Sequence, residues 1–145
     1  MEQTKTLIIP CKDEGKEFSN ILKRFLDYLD ETTLVLIVVD DKEDSSLEYL
    51  GELSSNVKVL LNTYGPGPAL AIKCGIDNSV GNSICVAMGD GSDDPKQVEE
   101  LFLLIDRGWH DFEAKKLQQQ RSQSGRWSFS LGEDENHVKI FTGLE

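Results

Sequence analysis

Hydrophobic residues in this sequence form short continuous runs that alternate with stretches of helical spacing. Four runs predict buried strands, which are TLIIPC at 6–11, TLVLIVVDD at 33–41, VKVLLN at 57–62 and NSICVAM at 82–88. The second run is almost wholly apolar, which is typical of a strand covered on both faces in a parallel sheet.

Three stretches between these runs predict helices. Apolar residues recur at helical spacing over 18–29, with charges on the opposite face, so an amphipathic helix is expected there. A weaker helical pattern covers 46–53. Pro68 suits the first position of a helix that follows the third strand.

A last helix is predicted in DDPKQVEELFLLIDRG at 93–108. Asp93 or Asp94 would be its N-cap and Pro95 would lie near its first position, while Gly108 stands where a C-terminal stop is expected.

The alternation of strands and helices predicts an α/β fold, with a mostly parallel sheet and helices on both faces. Polar sequences follow each strand, namely PCKDE, DDKED, NTYGPG and GDGSDD. Ligands of such sheets bind beyond the carboxyl ends of the strands, so a site is expected at that edge.

The pattern fades after residue 108, which suggests an α/β domain at 1–108 and a polar, irregular extension at 109–145. Residues 1–112 hold 21 acids and 10 bases, whereas residues 113–145 hold 5 of each. WSFSLG and HVKIFTGL could form short strands, as a hairpin around GEDEN.

Composition limits the classes of function. A chain of 145 residues makes one domain, and its net charge of −11 argues against nucleic-acid binding because phosphates would be repelled. LVLIVV, the longest apolar run, is too short to span a bilayer, and no signal peptide is visible. Three cysteines without close pairing predict core thiols and a cytoplasmic location.

Two of the polar motifs leave their interpretation open. The two acids at the strand end in VVDDKEDSS, Asp40 and Asp41, could accept hydrogen bonds from a ribose or a base, or could be a solvated strand end. Gly65 and Gly67 match two glycines of a dinucleotide-binding fingerprint, but Leu70 replaces the third, so a plain turn explains them equally well. His110 and His137 have no visible partners.

The motif MGDGSDDP has a more specific spacing. Asp90 follows the fourth strand between two glycines, which let a ligand come close, and no capping role explains it. Mg²⁺ needs only one or two protein carboxylates, because water and phosphate oxygens complete its shell. Asp90 is therefore the candidate metal ligand, and Asp93 and Asp94 are better explained as helix caps.

Taken together, LIIPCKDE, VVDDKEDSS, NTYGPGPALAIKCGI and VAMGDGSDDP resemble the family 2 glycosyltransferases in order and spacing. The nearest likeness is to the branch of dolichyl- and polyprenyl-phosphate sugar synthases, and it covers about residues 5–108. The resemblance implies the nucleotide-binding half of a GT-A fold, a nucleotide-diphosphate sugar donor and Mg²⁺ or Mn²⁺. It also implies inverting transfer, with a polyprenyl phosphate at the cytoplasmic membrane face as a candidate acceptor.

The family pattern also assigns roles to individual residues. Pro10, Cys11 and Glu14 would lie on the nucleotide loop, Asp41 would contact the base, Gly67 and Ala69 would lie beside the donor, and Asp90 would bind the metal. No catalytic base is assigned, because the anionic oxygen of a lipid phosphate needs little help from one.

The sequence departs from the family pattern at three points. Met88 takes the position of the first Asp of the D-x-D motif, and Lys12 replaces a common aromatic residue. The acceptor half of the fold is short or missing. Two alternatives therefore stand beside the enzyme, a truncated non-catalytic nucleotide-binding or partner subunit and an unrelated flavodoxin-like module. A sheet cut short at one edge would also expose an apolar strand, which a homo-oligomer would cover.

Overall fold

The chain forms one six-stranded sheet, seen in a computed structural model that describes residues 3–81, 83–106, 127–131 and 138–142. The strands are β1 Lys5–Cys11, β2 Thr33–Val39, β3 Val57–Leu61, β4 Ser83–Val86, β5 Trp127–Leu131 and β6 Val138–Thr142. Their order across the sheet is β3-β2-β1-β4-β6-β5. All neighbouring strands are parallel except β5 and β6, which pair antiparallel. The predicted α/β class and mostly parallel sheet are confirmed.

The described ranges contain three α-helices, which are α1 Glu17–Tyr28, α2 Pro68–Asp77 and α3 Pro95–Asp106. Pro68 is at the start of α2 as expected, since its fixed φ fits a first helical turn and its missing N–H costs nothing there. Asp94 lies directly before α3, and its carboxylate accepts a hydrogen bond from the backbone N–H of Lys96 at 3.0 Å.

The helices cover both faces of the sheet, as the sequence predicts. On one face, Phe18 and Phe25 of α1 and Phe102 of α3 pack with Leu7 and Ile9 of β1. On the other face, Ala71 and Ile72 of α2 pack with the alternate strand residues, among them Ile8, Leu36 and Val38. Every residue of β2 is buried, which explains its continuous apolar run.

The weak helix predicted over 46–53 is wrong in extent. Only one turn of 3₁₀ helix forms there, at Ser45–Leu47. The chain reaches Gly51 with a φ of +66°, a conformation that a continuing helix cannot contain. Leu47, Leu50 and Leu53 still pack against the core, so the helix-like spacing reflects an apolar side of an irregular segment.

The strands expected in WSFSLG and HVKIFTGL are present as the antiparallel pair β5 and β6. β6 adds to the main sheet beside β4, through the pairs Ser83↔Lys139 to Val86↔Thr142. Neighbours therefore flank β4 on both sides, and the sheet ends at β3 and β5. The boundary at 108, the stop at Gly108 and the two histidines lie outside the described residues.

The three cysteines are buried and free, which confirms the prediction of core thiols. None of the helices in the described ranges is long and apolar enough to cross a membrane.

Replacing Phe25 with alanine tests the packing of α1. The ring of Phe25 is fully buried, so we expect Phe25→Ala to lower the free energy of unfolding by about 3–5 kcal/mol. Tyr28→Ala on the same helix is the matched control, because Tyr28 is 43% exposed and should cost less than about 1 kcal/mol. Urea denaturation followed by circular dichroism measures both, and equal losses would contradict the packing of α1 described here.

Candidate functional site

A cavity of about 200 Å³ opens at the carboxyl ends of β1, β2 and β4, where the sequence predicts a site. Its lining comes from the end of β1, four loops and one helix start, and consists of Pro10, Lys12, Glu14, Asp40, Gly67, Pro68, Ala71, Met88, Gly89 and Asp90. A second cavity of about 350 Å³ shares Asp40 with it and continues along the turn between β3 and α2. The polar chemistry of the described chain thus converges on one edge of the sheet.

The loop after β1 is held by side chains from the loop after β2. The carboxylate of Asp44 is 8% exposed and accepts hydrogen bonds from the backbone N–H of Asp13, at 3.0 and 3.1 Å to its two oxygens. It also accepts one from the N–H of Ser46 at 2.8 Å, and the hydroxyl of Ser46 accepts one from the N–H of Glu14 at 2.9 Å. Asp13 has a φ of +53°, an uncommon conformation that these bonds stabilise. These hydrogen bonds therefore fix the backbone of the loop that carries Lys12 and Glu14 to the cavity.

Asp40 ties the end of β2 to the start of α2. Its carboxylate accepts hydrogen bonds from the side-chain amide of Asn62 at 2.8 Å and from the backbone N–H of Gly67 at 3.3 Å. Asn62 is itself buried and also bonds to the carbonyl of Gly65 and the N–H of Tyr64. A carboxylate at the N-terminus of a helix is also favoured by the helix dipole.

Asp93 has a different role from the one its sequence position suggests. It is 4% exposed, and its carboxylate accepts a hydrogen bond at 2.7 Å from the backbone N–H of Met88. Asp94 caps α3 in the predicted manner, while Asp93 also closes the loop that carries Asp90. Gly89 permits the close approach of this loop to β1, because a Cβ there would lie 2.6 Å from the sulfur of Cys11.

Glu14 and Asp90 lie near each other across the cavity, and their charges interact. Burial raises the pKa of Glu14 above its ordinary value, and the carboxylates of Asp90 and Asp44 raise it further. Asp90 is exposed, and one of its oxygens accepts hydrogen bonds from the N–H and hydroxyl of Ser92 at 2.9 and 2.6 Å. Its other oxygen makes no hydrogen bond with the described residues.

Four of the residues predicted from the sequence line the cavity together, and these are Pro10, Glu14, Gly67 and Asp90. Three others do not. The thiol of Cys11 is buried in the core, which raises its pKa, and Ala69 and Asp41 are exposed outside the lining. Asp41 accepts a hydrogen bond from the N–H of Glu43 at 2.9 Å. The binding roles given to all seven residues stay predictions.

Sequence reasoning considered Asp40 together with Asp41 but assigned a role to Asp41 alone, and it missed Asn62 and Asp44. Alternation along β2 could have pointed to Asp40, since Leu36 and Val38 face α2 and the next residue on that side is Asp40. Asn62 and Asp44 carry no such signal, because their partners lie in other loops.

The donor set for a metal ion is small in the described part of the chain. No group of three or more His, Cys, Asp or Glu residues there could hold an ion. The chemistry still fits a hard divalent cation, because Asp90 presents a free carboxylate oxygen at the cavity and Mg²⁺ completes its shell with water and phosphate oxygens.

The mostly parallel sheet, its helices on both faces and a cavity at the strand ends define an α/β protein of the Rossmann-like class. The family model described as "Glycosyl transferase family 2" matches residues 6–142. The chain therefore belongs to glycosyl transferase family 2, whose members generally use divalent metals. This rules out the unrelated flavodoxin-like module. A comparison with curated proteins gives no match.

Replacing Asp44 with alanine tests the bracing of the β1 loop. The variant leaves the N–H groups of Asp13 and Ser46 without their charged acceptor, so we expect a loss of about 2 kcal/mol in the free energy of unfolding. Asp41→Ala, three residues away on the exposed side, should cost less than about 0.5 kcal/mol. Denaturation curves of the two variants measure both free energies of unfolding. If Asp44→Ala loses no more stability than Asp41→Ala, the hydrogen bonds of Asp44 do not stabilise the β1 loop as described.

Replacing Glu14 with glutamine tests the electrostatics of the cavity. Because the folded protein raises the pKa of Glu14, the stability linked to this group is present at low pH and is lost as the pH rises through the raised value. Glu14→Gln should therefore be more stable than the native chain at neutral pH. The difference should vanish below the ordinary glutamate pKa of about 4.3.

Glu17→Gln, at the exposed start of α1, serves as the control for Glu14→Gln. It should not raise stability at neutral pH, since a carboxylate in a first helical turn is favourable. Thermal unfolding across the pH range measures both variants, and a stability difference for Glu14→Gln that grows toward acid pH would refute the assignment.

Proposed function

We propose that the cavity at the strand ends binds a nucleoside-diphosphate sugar and that the chain transfers the sugar to an acceptor. The observation that carries this proposal is the meeting of Pro10, Glu14, Gly67 and Asp90 around one cavity in a chain of this glycosyltransferase family. These residues come from positions far apart in the sequence, and the family pattern assigns the first three to the donor and Asp90 to the metal.

In this proposal, the residues at the strand ends divide the donor between them. Pro10, Cys11 and Glu14 belong to the nucleotide loop, and Gly67 and Ala69 flank the donor beside α2. Asp41 accepts a hydrogen bond from the base, and the cavity-lining carboxylate of Asp40 lies next to it in sequence as a second acceptor.

We assign Asp90 as the residue that holds Mg²⁺ or Mn²⁺. A bound divalent ion would stabilise the negative charge that develops on the departing nucleoside diphosphate. The protein's own contribution is to hold Asp90 at the cavity, through Gly89 against Cys11 and the bond from Met88 to the buried Asp93.

A polyprenyl phosphate is the acceptor that we favour, with inversion at the anomeric carbon. An anionic phosphate oxygen is already a nucleophile, which agrees with a site where no described residue is assigned as a base. Such an acceptor would bring the protein to the cytoplasmic face of a membrane as a peripheral protein.

The predicted homo-oligomer is a separate proposal, and light scattering that gives a monomer mass would remove it.

One observation favours a non-catalytic relative as the second candidate. Met88 lines the cavity at the position of the first D-x-D aspartate, so the site has one carboxylate fewer than the family pattern. With this smaller set of carboxylates, the chain would bind the donor without transferring its sugar.

Binding of donors to the native chain and to Asp90→Ala tests the proposal. We expect UDP- or GDP-sugars to bind the native chain more tightly with Mn²⁺ than without it, by roughly tenfold or more, and Asp90→Ala to lose this gain. Asp94→Ala, which removes a nearby exposed cap of α3, should keep the gain. Calorimetric titration provides the affinities.

Transfer of a labelled sugar to a polyprenyl phosphate then separates the two candidates. Transfer by the native chain supports the enzyme, whereas metal-dependent binding without transfer to this acceptor supports the non-catalytic relative. If no nucleotide sugar binds with or without Mn²⁺, both are rejected.

A further inference from the structure

Lys12 provides the one positive charge among the side chains that line the described cavity. The lining also contains the carboxylates of Glu14, Asp40 and Asp90, and its other members are glycine, proline, alanine and methionine. Lys12 is exposed and makes no hydrogen bond, ion pair or ring contact with the described residues. Its ammonium group is therefore available to a ligand.

The chemistry of the lining restricts which side chain can bind a phosphate. Ionised carboxylates only accept hydrogen bonds, as phosphate oxygens do, so Glu14, Asp40 and Asp90 repel a phosphate unless a cation intervenes. The ammonium of Lys12 offers three donors and a positive charge, and such charge-assisted bonds are about twice as strong as neutral ones.

Several backbone donors near the cavity are already used or missing. The N–H of Glu14 bonds to Ser46, that of Gly67 to Asp40 and that of Met88 to Asp93. Pro10 and Pro68 have no N–H. These groups cannot take over the role of Lys12.

None of the lining residues in the described part of the chain is aromatic, so none of them can stack on a base. Lys12 lies on the loop that Asp44 and Ser46 fix, so its backbone is held at the cavity without a ligand. A ligand with two linked phosphates would find its side-chain donor here, whereas these described lining residues offer its base no stacking surface.

We propose that Lys12 is a diphosphate-binding residue of the donor site, so that the phosphates contribute most of the affinity and the base contributes little. This inference rests on the proposed function, and it adds the group of the donor that the site recognises. Lys12 thereby shares the neutralisation of the diphosphate with the cation that we assign to Asp90.

The test compares Lys12→Gln, Lys12→Arg and the control Lys16→Gln with the native chain. Lys16 is an exposed lysine of the same loop that does not line the cavity. Calorimetry with UDP and GDP in the presence of Mn²⁺ gives the dissociation constants, and displacement by uridine and guanosine gives those of the nucleosides. We expect Lys12→Gln to weaken diphosphate binding by roughly tenfold or more. The affinity of Lys12→Gln for the nucleosides should stay within about threefold of the native value. Lys12→Arg and Lys16→Gln should bind both the diphosphates and the nucleosides within about threefold of the native affinities.

Three results would overturn the inference while leaving the proposed function in place. Lys12→Gln could bind UDP and GDP as tightly as the native chain, or it could lose nucleoside affinity to the same degree. Lys16→Gln could also weaken the binding of UDP and GDP as much as Lys12→Gln does, which would show a general effect of net charge. Failure of the native chain to bind any nucleoside diphosphate or nucleotide sugar would instead reject the proposed function, and the inference with it.

Discussion

The pairing of β1 with β2 on one side and β4 on the other is the constraint on which the rest of the molecule depends. Parallel ladders bring Cys11 opposite Val39 and Ile8 opposite Val86, so the three strands end at the same edge of the sheet. Because both faces of these strands are covered by helices, their register is determined by burial and cannot slip without exposing apolar side chains. The loops that follow them have to converge, and the cavity lies where they do.

Buried polar groups then set the shape of these loops. Asp44 and Asp93 are acids that the fold hides from solvent, and each accepts hydrogen bonds from backbone N–H groups of a loop at the cavity. Asp40 and Asn62 do the same between β2, β3 and α2. Such bonds to charged acceptors offset the cost of burying the carboxylates, and they leave the cavity-facing side chains on a firm backbone.

The resulting site collects negative charge, which matters for what it can bind. The carboxylate of Asp90 disfavours the ionised form of Glu14, and Asp40 adds a third carboxylate to the lining. A phosphorylated ligand therefore needs compensating positive charge, which we propose that a divalent ion at Asp90 and the ammonium of Lys12 supply. This need for positive charge agrees with membership of glycosyl transferase family 2, since the leaving group in the proposed reaction is a nucleoside diphosphate.

Much of this fold can be predicted from the sequence, because burial on one or both faces leaves a periodic pattern of apolar residues. The continuous run of β2, the amphipathic spacing of α1 and the Asp94-Pro95 start of α3 all follow from local rules. The segment 46–53 departs from them, since its apolar residues contact the core without a helix, and Gly51 with its positive φ ends the single turn.

Within the site, the sequence by itself determined which loops would meet and that Asp90 follows β4 between two glycines. Only the tertiary structure decided that Asp40 lines the cavity while Asp41 does not, and that Asp93 reaches back to Met88 while Asp94 caps the helix. The physical reason is that neighbouring acids look alike in a sequence, whereas their roles depend on which backbone N–H groups other loops bring within hydrogen-bonding distance.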